Sequence, residues 1–490
     1  MRAEEANRRR AMLVAMCGAV AVVFGLTLGA LAIVPAIGED LGATQTEVQW
    51  VADVVPLTVA ALLLPAGALL DRLGRRTGML AGLLLLVLAL VWCAVAGSPG
   101  ELVAARAASG AALALVFPGT LATISDAVPD RGRSTAVGLW ALSGIVGGVL
   151  GMQLSALLAD LASWRDAFWV FAAVVLVLVV LTARSVPAHR SPERAPLDPL
   201  GTVLSVLGIG ALVLGITEGP VHGWTGPMTV AGIGGGLVLL ALFVAWQLRA
   251  ARPLLDVRVY RDRTLAGASI VVLGAIVADF AMIFLVFQFE VYVLGFGALK
   301  AALGIGPPAV VMLAAVPAAL AAGRRWTERT IATIALLLCA AGALVSALVA
   351  AEHPSYLAVV VGASLIWTGI GFGAIAPTLT ILDSLPGRPG LSSALNDLTR
   401  ELGAALGLAI TASAFNAGYR DAIVEDGPAD ATAAVLGSPA GAPPELAGLV
   451  AEAVRDGWQT AFLVVTAILA LTAVAAAITY PRRGAPAAPR

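Results

Sequence analysis

Long apolar runs separated by short charged connections constrain this chain more than any other feature. In hydrocarbon a backbone finds no water to bond, so such a run must close its hydrogen bonds within itself as a helix. About 20 residues suffice to cross a bilayer. Fourteen runs qualify, at approximately 11–37, 48–70, 77–97, 101–125, 134–158, 165–183, 199–217, 228–249, 264–294, 300–322, 330–350, 354–383, 392–418 and 456–480. Only 12% of the residues are charged, against about 25% in a soluble domain. The expected fold class is an all-α membrane protein with fourteen transmembrane helices in a lipid bilayer.

Charge gives the expected orientation. Of the 30 Lys and Arg, 24 fall on one set of alternate connections. That set holds the N-terminal arginines from Arg2 to Arg10, Arg72, Arg75, Arg76, Arg131, Arg133 and the arginines from Arg184 to Arg194. It continues with those from Arg249 to Arg263 and from Arg324 to Arg329, then Arg388 and the C-terminal Arg482, Arg483 and Arg490. The other side has Arg165, Lys300, Arg420 and Arg455, while Arg106 and Arg400 fall inside runs. Positive residues accumulate in the cytoplasm, so both termini are expected there, in the cytoplasmic membrane. A missed or extra run would break the alternation. The N-terminal basic cluster before an apolar run could mimic a signal peptide. The run to Ile37 is too long and lacks a convincing cleavage site, and reads as the first span.

Several chemistries find no support. Cys17, Cys93 and Cys339 lie far apart in apolar runs and suggest neither a disulfide framework nor a metal site. His189, His222 and His353 form no ligand cluster. Lys300 is the only lysine and no Ser or Thr follows it, so there is no P-loop and no ATPase site of the chain's own. No cofactor, metal, nucleic acid or enzymatic activity is expected.

Between the second and third runs lies Gly67-Ala-Leu-Leu-Asp71-Arg72-Leu-Gly74-Arg75-Arg76. Asp71 comes as the run ends, Gly74 permits the backbone angles of a tight turn, and three arginines anchor the turn among headgroups. Arginines alone would mark only a basic turn. The full pattern resembles the loop between spans two and three of the major facilitator superfamily. That resemblance implies a secondary transporter built from two six-span bundles in one orientation. Fourteen is then twelve plus two. The implied domains are a six-helix bundle over 11–183, two inserted helices over 199–249, and a second bundle over 264–480. The second bundle carries a long outer loop at 419–455. The stretches 186–199 and 249–263 read as linkers. Pro317-Ala-Ala-Leu-Ala-Ala-Gly323-Arg324-Arg325 looks like a second copy of the turn that has lost its Asp.

Further segments narrow the resemblance to the fourteen-span drug:proton antiporters. They are Gln49-Trp50-Val-Ala-Asp53, Gly371-Phe-Gly-Ala-Ile-Ala-Pro377, and Ser393-Ala-Leu-Asn396 with Arg400-Glu-Leu-Gly403. The family implies export of amphipathic small molecules, such as drugs or antibiotics, by antiport with protons and alternating access. The alternatives are a carrier of a lipid or a specific metabolite, and a non-transporting membrane receptor or scaffold.

Ionisable groups inside spans are costly and are therefore functional candidates. Arg106 in Leu102-Val-Ala-Ala-Arg106-Ala-Ala-Ser-Gly110 resembles a family motif whose Arg influences proton exchange. Asp53 enters span two from the same side, and an ion pair with Arg106 would make both tolerable, either in coupling or as a static structural pair. Asp279 lies about 15 residues into span nine, roughly 22 Å along the helix. Glu290, eleven residues later, falls on nearly the same face, since about 1100° is close to whole turns. Asp279 has no basic neighbour in its own helix, and desolvation would carry its carboxyl toward neutrality. Asp397, Arg400 and Glu401 share one side of span thirteen by their spacing. They could form a proton or cation site, or a solvated helix end.

In span five, Gly144-Ile-Val-Gly147-Gly148-Val-Leu-Gly151 allows close helix approach. It resembles the family's antiporter motif, with Gly147-Gly148 where Gly-Pro is usual. The acid often found nine residues before the proline of span one is here Leu26. Trp140, Phe280, Phe284, Phe287, Phe289 and Trp367 are candidate cavity aromatics, although residues at such spacing commonly serve packing.

Overall fold

A computed structural model describes residues 2–187, 198–323, 325–350, 352–426 and 444–480. Most of the 186–199 linker with Arg190 and Arg194, Arg324, residues 427–443 of the outer loop, and the C-terminal arginines lie outside the described residues. Among the described residues the regular structure is entirely helical.

The helices are α1 (Arg2–Leu41), α2 (Gln45–Leu73), α3 (Arg75–Val95), α4 (Pro99–Ala127), α5 (Asp130–Leu161), α6 (Trp164–Ser185), α7 (Pro199–His222) and α8 (Pro227–Gln247). There follow α9 (Arg263–Tyr292), α10 (Ala298–Gly304), α11 (Gly306–Ala322), α12 (Glu328–Val345), α13 (Tyr356–Gly373), α14 (Ile375–Leu382), α15 (Pro389–Asp426) and α16 (Ala447–Thr479). Side-chain caps start several of them. Ser98 accepts from the Glu101 amide, Ser355 from Ala358, and Thr44 forms a reciprocal capping box with Glu47.

Among the described residues thirteen candidate spans are long and apolar enough to cross a membrane. The expected span at 300–322 is instead two helices, α10 and α11, and this pair makes the fourteenth. The break has a backbone cause. Pro307 and Pro308 have no N–H to return to the carbonyls of Leu303 and Gly304. The freed Gly304 carbonyl accepts instead from the Tyr356 hydroxyl at 3.0 Å. The run at 354–383 is likewise interrupted at Ala374, where Pro377 leaves the Gly373 carbonyl without its helical donor.

Contacts divide the chain into two compact units. One comprises Met1–Val213, Gly234–Val259 and Ile381–Glu401; the other comprises Leu214–Ile233, Tyr260–Thr380 and Leu402–Arg490. In the first, α1 lies along α5, α2 along α4, and α3 between α4 and α6. Glycine sets the α1–α5 distance. A Cβ on Gly147 would lie 2.5 Å from the Ala21 Cβ, and one on Gly151 would lie 2.7 Å from the Gly25 carbonyl oxygen. Gly144 faces the Phe24 ring and Gly148 faces Leu28. In the second unit α12 packs on α13 and α16, α11 on α13, and α9 on α16 and α13.

Candidate functional site

The turn after α2 is a single residue, Gly74, whose φ of +85° is open to glycine at little cost. Its N–H closes on the Leu70 carbonyl, and α3 begins at Arg75. One helical turn before Asp71, Gly67 sits against the first turn of α15. A Cβ there would lie 2.6 Å from both the Ala394 Cβ and the Gly390 carbonyl oxygen. This close approach brings Asp71 onto the N-terminus of α15. Its Oδ1 accepts from the Gly390 N–H at 2.7 Å and its Oδ2 from the Leu391 N–H at 3.0 Å. The carboxylate is 6% exposed. It meets orphan amides at the positive end of a helix, where an anion belongs.

The arginines of the turn do different things. Arg75 pairs with Asp126 at the end of α4, and Arg76 donates to the Ala183 carbonyl in the last turn of α6. Arg72 is half-buried. Arg133 pairs with Asp383 at 2.6 Å. Arg75, Asp126, Arg133 and Asp383, with Asp71 and Pro389, border a cavity of about 500 Å³. In the second copy of the turn, α11 ends at Ala322 and Gly323 has a φ of −58°. Arg325 and Trp326 donate back to Ala322 in a plain backbone turn. The chemistry that holds α15 at the first turn has no counterpart at Gly323, which lacks a side chain.

The intramembrane acids occupy separate places. In the first unit Arg106 is 1% exposed and donates from Nε to the Val51 carbonyl at 3.1 Å, while its Nη2 has no hydrogen-bond partner. Asp53 lies two residues after Val51 and is half-buried. On α15, Asp397 is fully buried. It accepts from Asn396 Nδ2 at 3.1 Å through Oδ1, and its Oδ2 has no hydrogen-bond partner. The Arg400 guanidinium stands 5.9 Å from the Trp140 ring. Trp140 donates to Thr120 and stacks on Phe117. Glu401, beside Arg400, is half-buried.

In the second unit Asp279 is half-buried and accepts from Trp367 Nε1 at 2.8 Å, a bond between α9 and α13. Glu290 is fully buried, with no hydrogen bond to either carboxylate oxygen. It faces Gly304, where a Cβ would lie 2.5 Å from its Oε2. The helix break and the buried carboxylate thus coincide. Among the candidate aromatics, Phe284 makes an edge contact with Phe415 and Phe289 packs on Trp458.

One polar centre escaped the sequence reading. Asp198 caps α7, accepting from the Gly201 N–H at 2.8 Å through Oδ1. It also accepts from Trp246 Nε1 at 2.9 Å, Gln247 Nε2 at 2.8 Å and the Leu254 N–H at 3.2 Å. Burial pushes its carboxyl up, but these four donors together hold it below the usual carboxylate range. The available signal was Asp198-Pro199 at the head of an apolar run, a helix start with a capping acid.

The described residues contain no group of His, Cys, Asp and Glu that could hold a metal. The family model described as Major Facilitator Superfamily matches residues 12–408. The chain is 31% identical over 422 residues to the multidrug efflux pump LfrA of Mycolicibacterium smegmatis, covering 86% of this chain and 81% of that protein. It is 31% identical over 418 residues to the cephamycin export protein CmcT of Amycolatopsis lactamdurans, covering 82% and 83%. The crystal structure of the human organic anion transporter MFSD10 (TETRAN) superposes with a TM-score of 0.62 at 16% identity, covering 96% of this chain and 99% of that one. At that identity the likeness concerns the fold.

Proposed function

Because this chain belongs to the major facilitator superfamily, we propose that it exports amphipathic small molecules, drugs or antibiotics among them, in exchange for protons. The efflux and export functions named for its relatives support the cargo class. In this reading the chain is a carrier in the cytoplasmic membrane, neither an enzyme nor driven by ATP. Its bundles at 11–183 and 264–480 alternate access around the cargo, with the helices of 199–249 inserted between them in sequence. The basic connections support a cytoplasmic position for both termini. Reporters fused after residues 194, 261 and 388 are expected to read cytoplasmic, and one within 425–445 external. A cytoplasmic reading at the last would overturn this topology.

Two devices carry the cycle. The Asp71 carboxylate on the α15 amides is a latch at the cytoplasmic ends of the helices. It forms when α15 rests on Gly67 and breaks when α15 leaves. Asp279 exchanges the proton. Asp53 with Arg106, Glu290, and Asp397 with Arg400 and Glu401 are further candidates for the proton path. The Gly144, Gly147, Gly148 and Gly151 seam keeps α5 moving with α1.

The observation that carries the proposal is the Asp279 carboxylate, deep in a span and bonded to an indole donor on another helix. An acid at that depth is costly unless it has work to do. The test is flux in proteoliposomes with an imposed pH gradient against a panel of dyes and antibiotics. Gradient-dependent accumulation of at least one of them is expected. Flux indifferent to the gradient for every compound would overturn the proton coupling.

A further inference from the structure

We infer that the α7–α8 hairpin braces the Asp71 latch through an unbroken chain of amides running from Asp198 to Arg388. This inference rests on the latch reading above and adds a function for the two helices that exceed the twelve-span core.

The chain can be followed atom by atom. Asp198 Oδ2 accepts from Gln247 Nε2 at 2.8 Å. The same side-chain amide accepts through Oε1 from the Leu255 N–H at 3.3 Å. That N–H and the Leu254 carbonyl belong to one peptide group, and the carbonyl accepts from Arg388 Nη2 at 2.8 Å. Two amides thus stand head to tail between a carboxylate and a guanidinium. Each is oriented so that the anion polarises it toward the cation, an arrangement in which bonds strengthen one another. The orientation of Gln247 follows from its partners, since a carboxylate needs a donor and a peptide N–H an acceptor. Asp198, Gln247, Leu254 and Leu255 are all buried, so water offers these groups little competition.

The far end of the chain is the latch. Arg388 immediately precedes α15, and Gly390, two residues on, donates to Asp71. Burial draws the Arg388 pKa down while the charge of Asp71 draws it back up, so the two groups feel each other. Fixing the Arg388 side chain therefore fixes the start of α15 at the place where Asp71 must find its amides. Asp198 touches no latch group itself and is a positioning residue, saturated by four donors from the head of α7, the end of α8 and the connection beyond it. A clamp serving only the hairpin would need Asp198 and its donors, but would not need Arg388.

The test reads the latch directly. In a background where Cys17, Cys93 and Cys339 are replaced by serine, Ser125→Cys places a thiol in the cavity beside Asp71. The rate of its reaction with a membrane-impermeant maleimide is measured on purified protein in nanodiscs, with thermal unfolding followed in parallel. Asp198→Asn and Arg388→Gln are each expected to raise the rate by about threefold or more, as a shift toward the unlatched population. The double substitution is expected to add nothing beyond the larger single effect, because both cut one chain. Gln247→Leu cuts it in the middle while leaving Asp198 three donors, and is expected to behave alike even if Asp198→Asn fails to fold. An unchanged rate in Gln247→Leu and Arg388→Gln, or independent addition of the two, overturns the brace. If Asp71→Asn still raises the rate, the latch stands without it. If Asp71→Asn also leaves the rate unchanged, the latch reading falls as well.

Discussion

Asp71 and Asp279 are both aspartates within spans, one in each unit, yet they are held by different kinds of donor. Asp71 accepts from two peptide N–H groups in the first turn of α15. Asp279 accepts from the indole of Trp367. A peptide N–H cannot turn away unless its helix moves, whereas the indole hangs on side-chain torsions and is displaced by repacking around α13 without moving the peptide backbone. An acid inside a span is therefore not one functional category. The donor decides whether it registers the position of a helix or is free to change partners during a cycle.

The largest effect should separate the two. Asp279→Asn keeps shape and hydrogen bonding but cannot carry a charge. Uphill export driven by a pH gradient is expected to fall by roughly 100-fold or more, the scale of a lost proton-transfer group. Downhill exchange of cargo should persist. Asp71→Asn should instead slow both modes together by about tenfold at matched protein levels, since a charged cap at a helix N-terminus contributes about 0.5–2 kcal/mol. If Asp71→Asn uncouples while leaving downhill exchange intact, the comparison is broken.

Trp367→Phe sharpens it. An aromatic ring remains while the N–H is lost with the five-membered part of the indole; the lost hydrogen bond alone is a change of about 1 kcal/mol. Coupled export should drop by about fivefold in vesicle assays with downhill exchange unaffected. Gly148→Ala is the smallest change. Its new methyl meets the flexible tip of Leu28, 2.8 Å from Cδ1, rather than backbone. Unfolding free energy should move by no more than about 0.5 kcal/mol. A large loss in thermal unfolding would mean that α1 and α5 tolerate no adjustment along their whole seam.

The spans were legible because the bilayer permits one backbone solution, and apolar length reports it. The interruptions were less so, although the signal was present. Pro307, Pro308 and Pro377 each remove an N–H that the helix requires, while the hydropathy of the run is unchanged by the loss. At the turn, the sequence placed Asp71, Gly74 and the arginines but could not supply their partners. Gly390 lies 319 residues from Asp71 in the chain, and no local pattern encodes which distant helix start an acid will cap. The spacing of Gly67 and Asp71, one turn apart, held half of that answer. Asp198 stands outside the spans and carries little local signal, because its role comes from donors at 201, 246, 247 and 254 brought together by the α7–α8 hairpin and the connection beyond it.

Proton release tests the central claim most directly. Cargo is added to detergent-solubilised wild type and Asp279→Asn in weakly buffered solution, with binding confirmed separately for each. The account predicts release from the wild type and little or none from Asp279→Asn at equal occupancy. Equal release from both would contradict it, and would move the coupling role to Asp397 and Glu401.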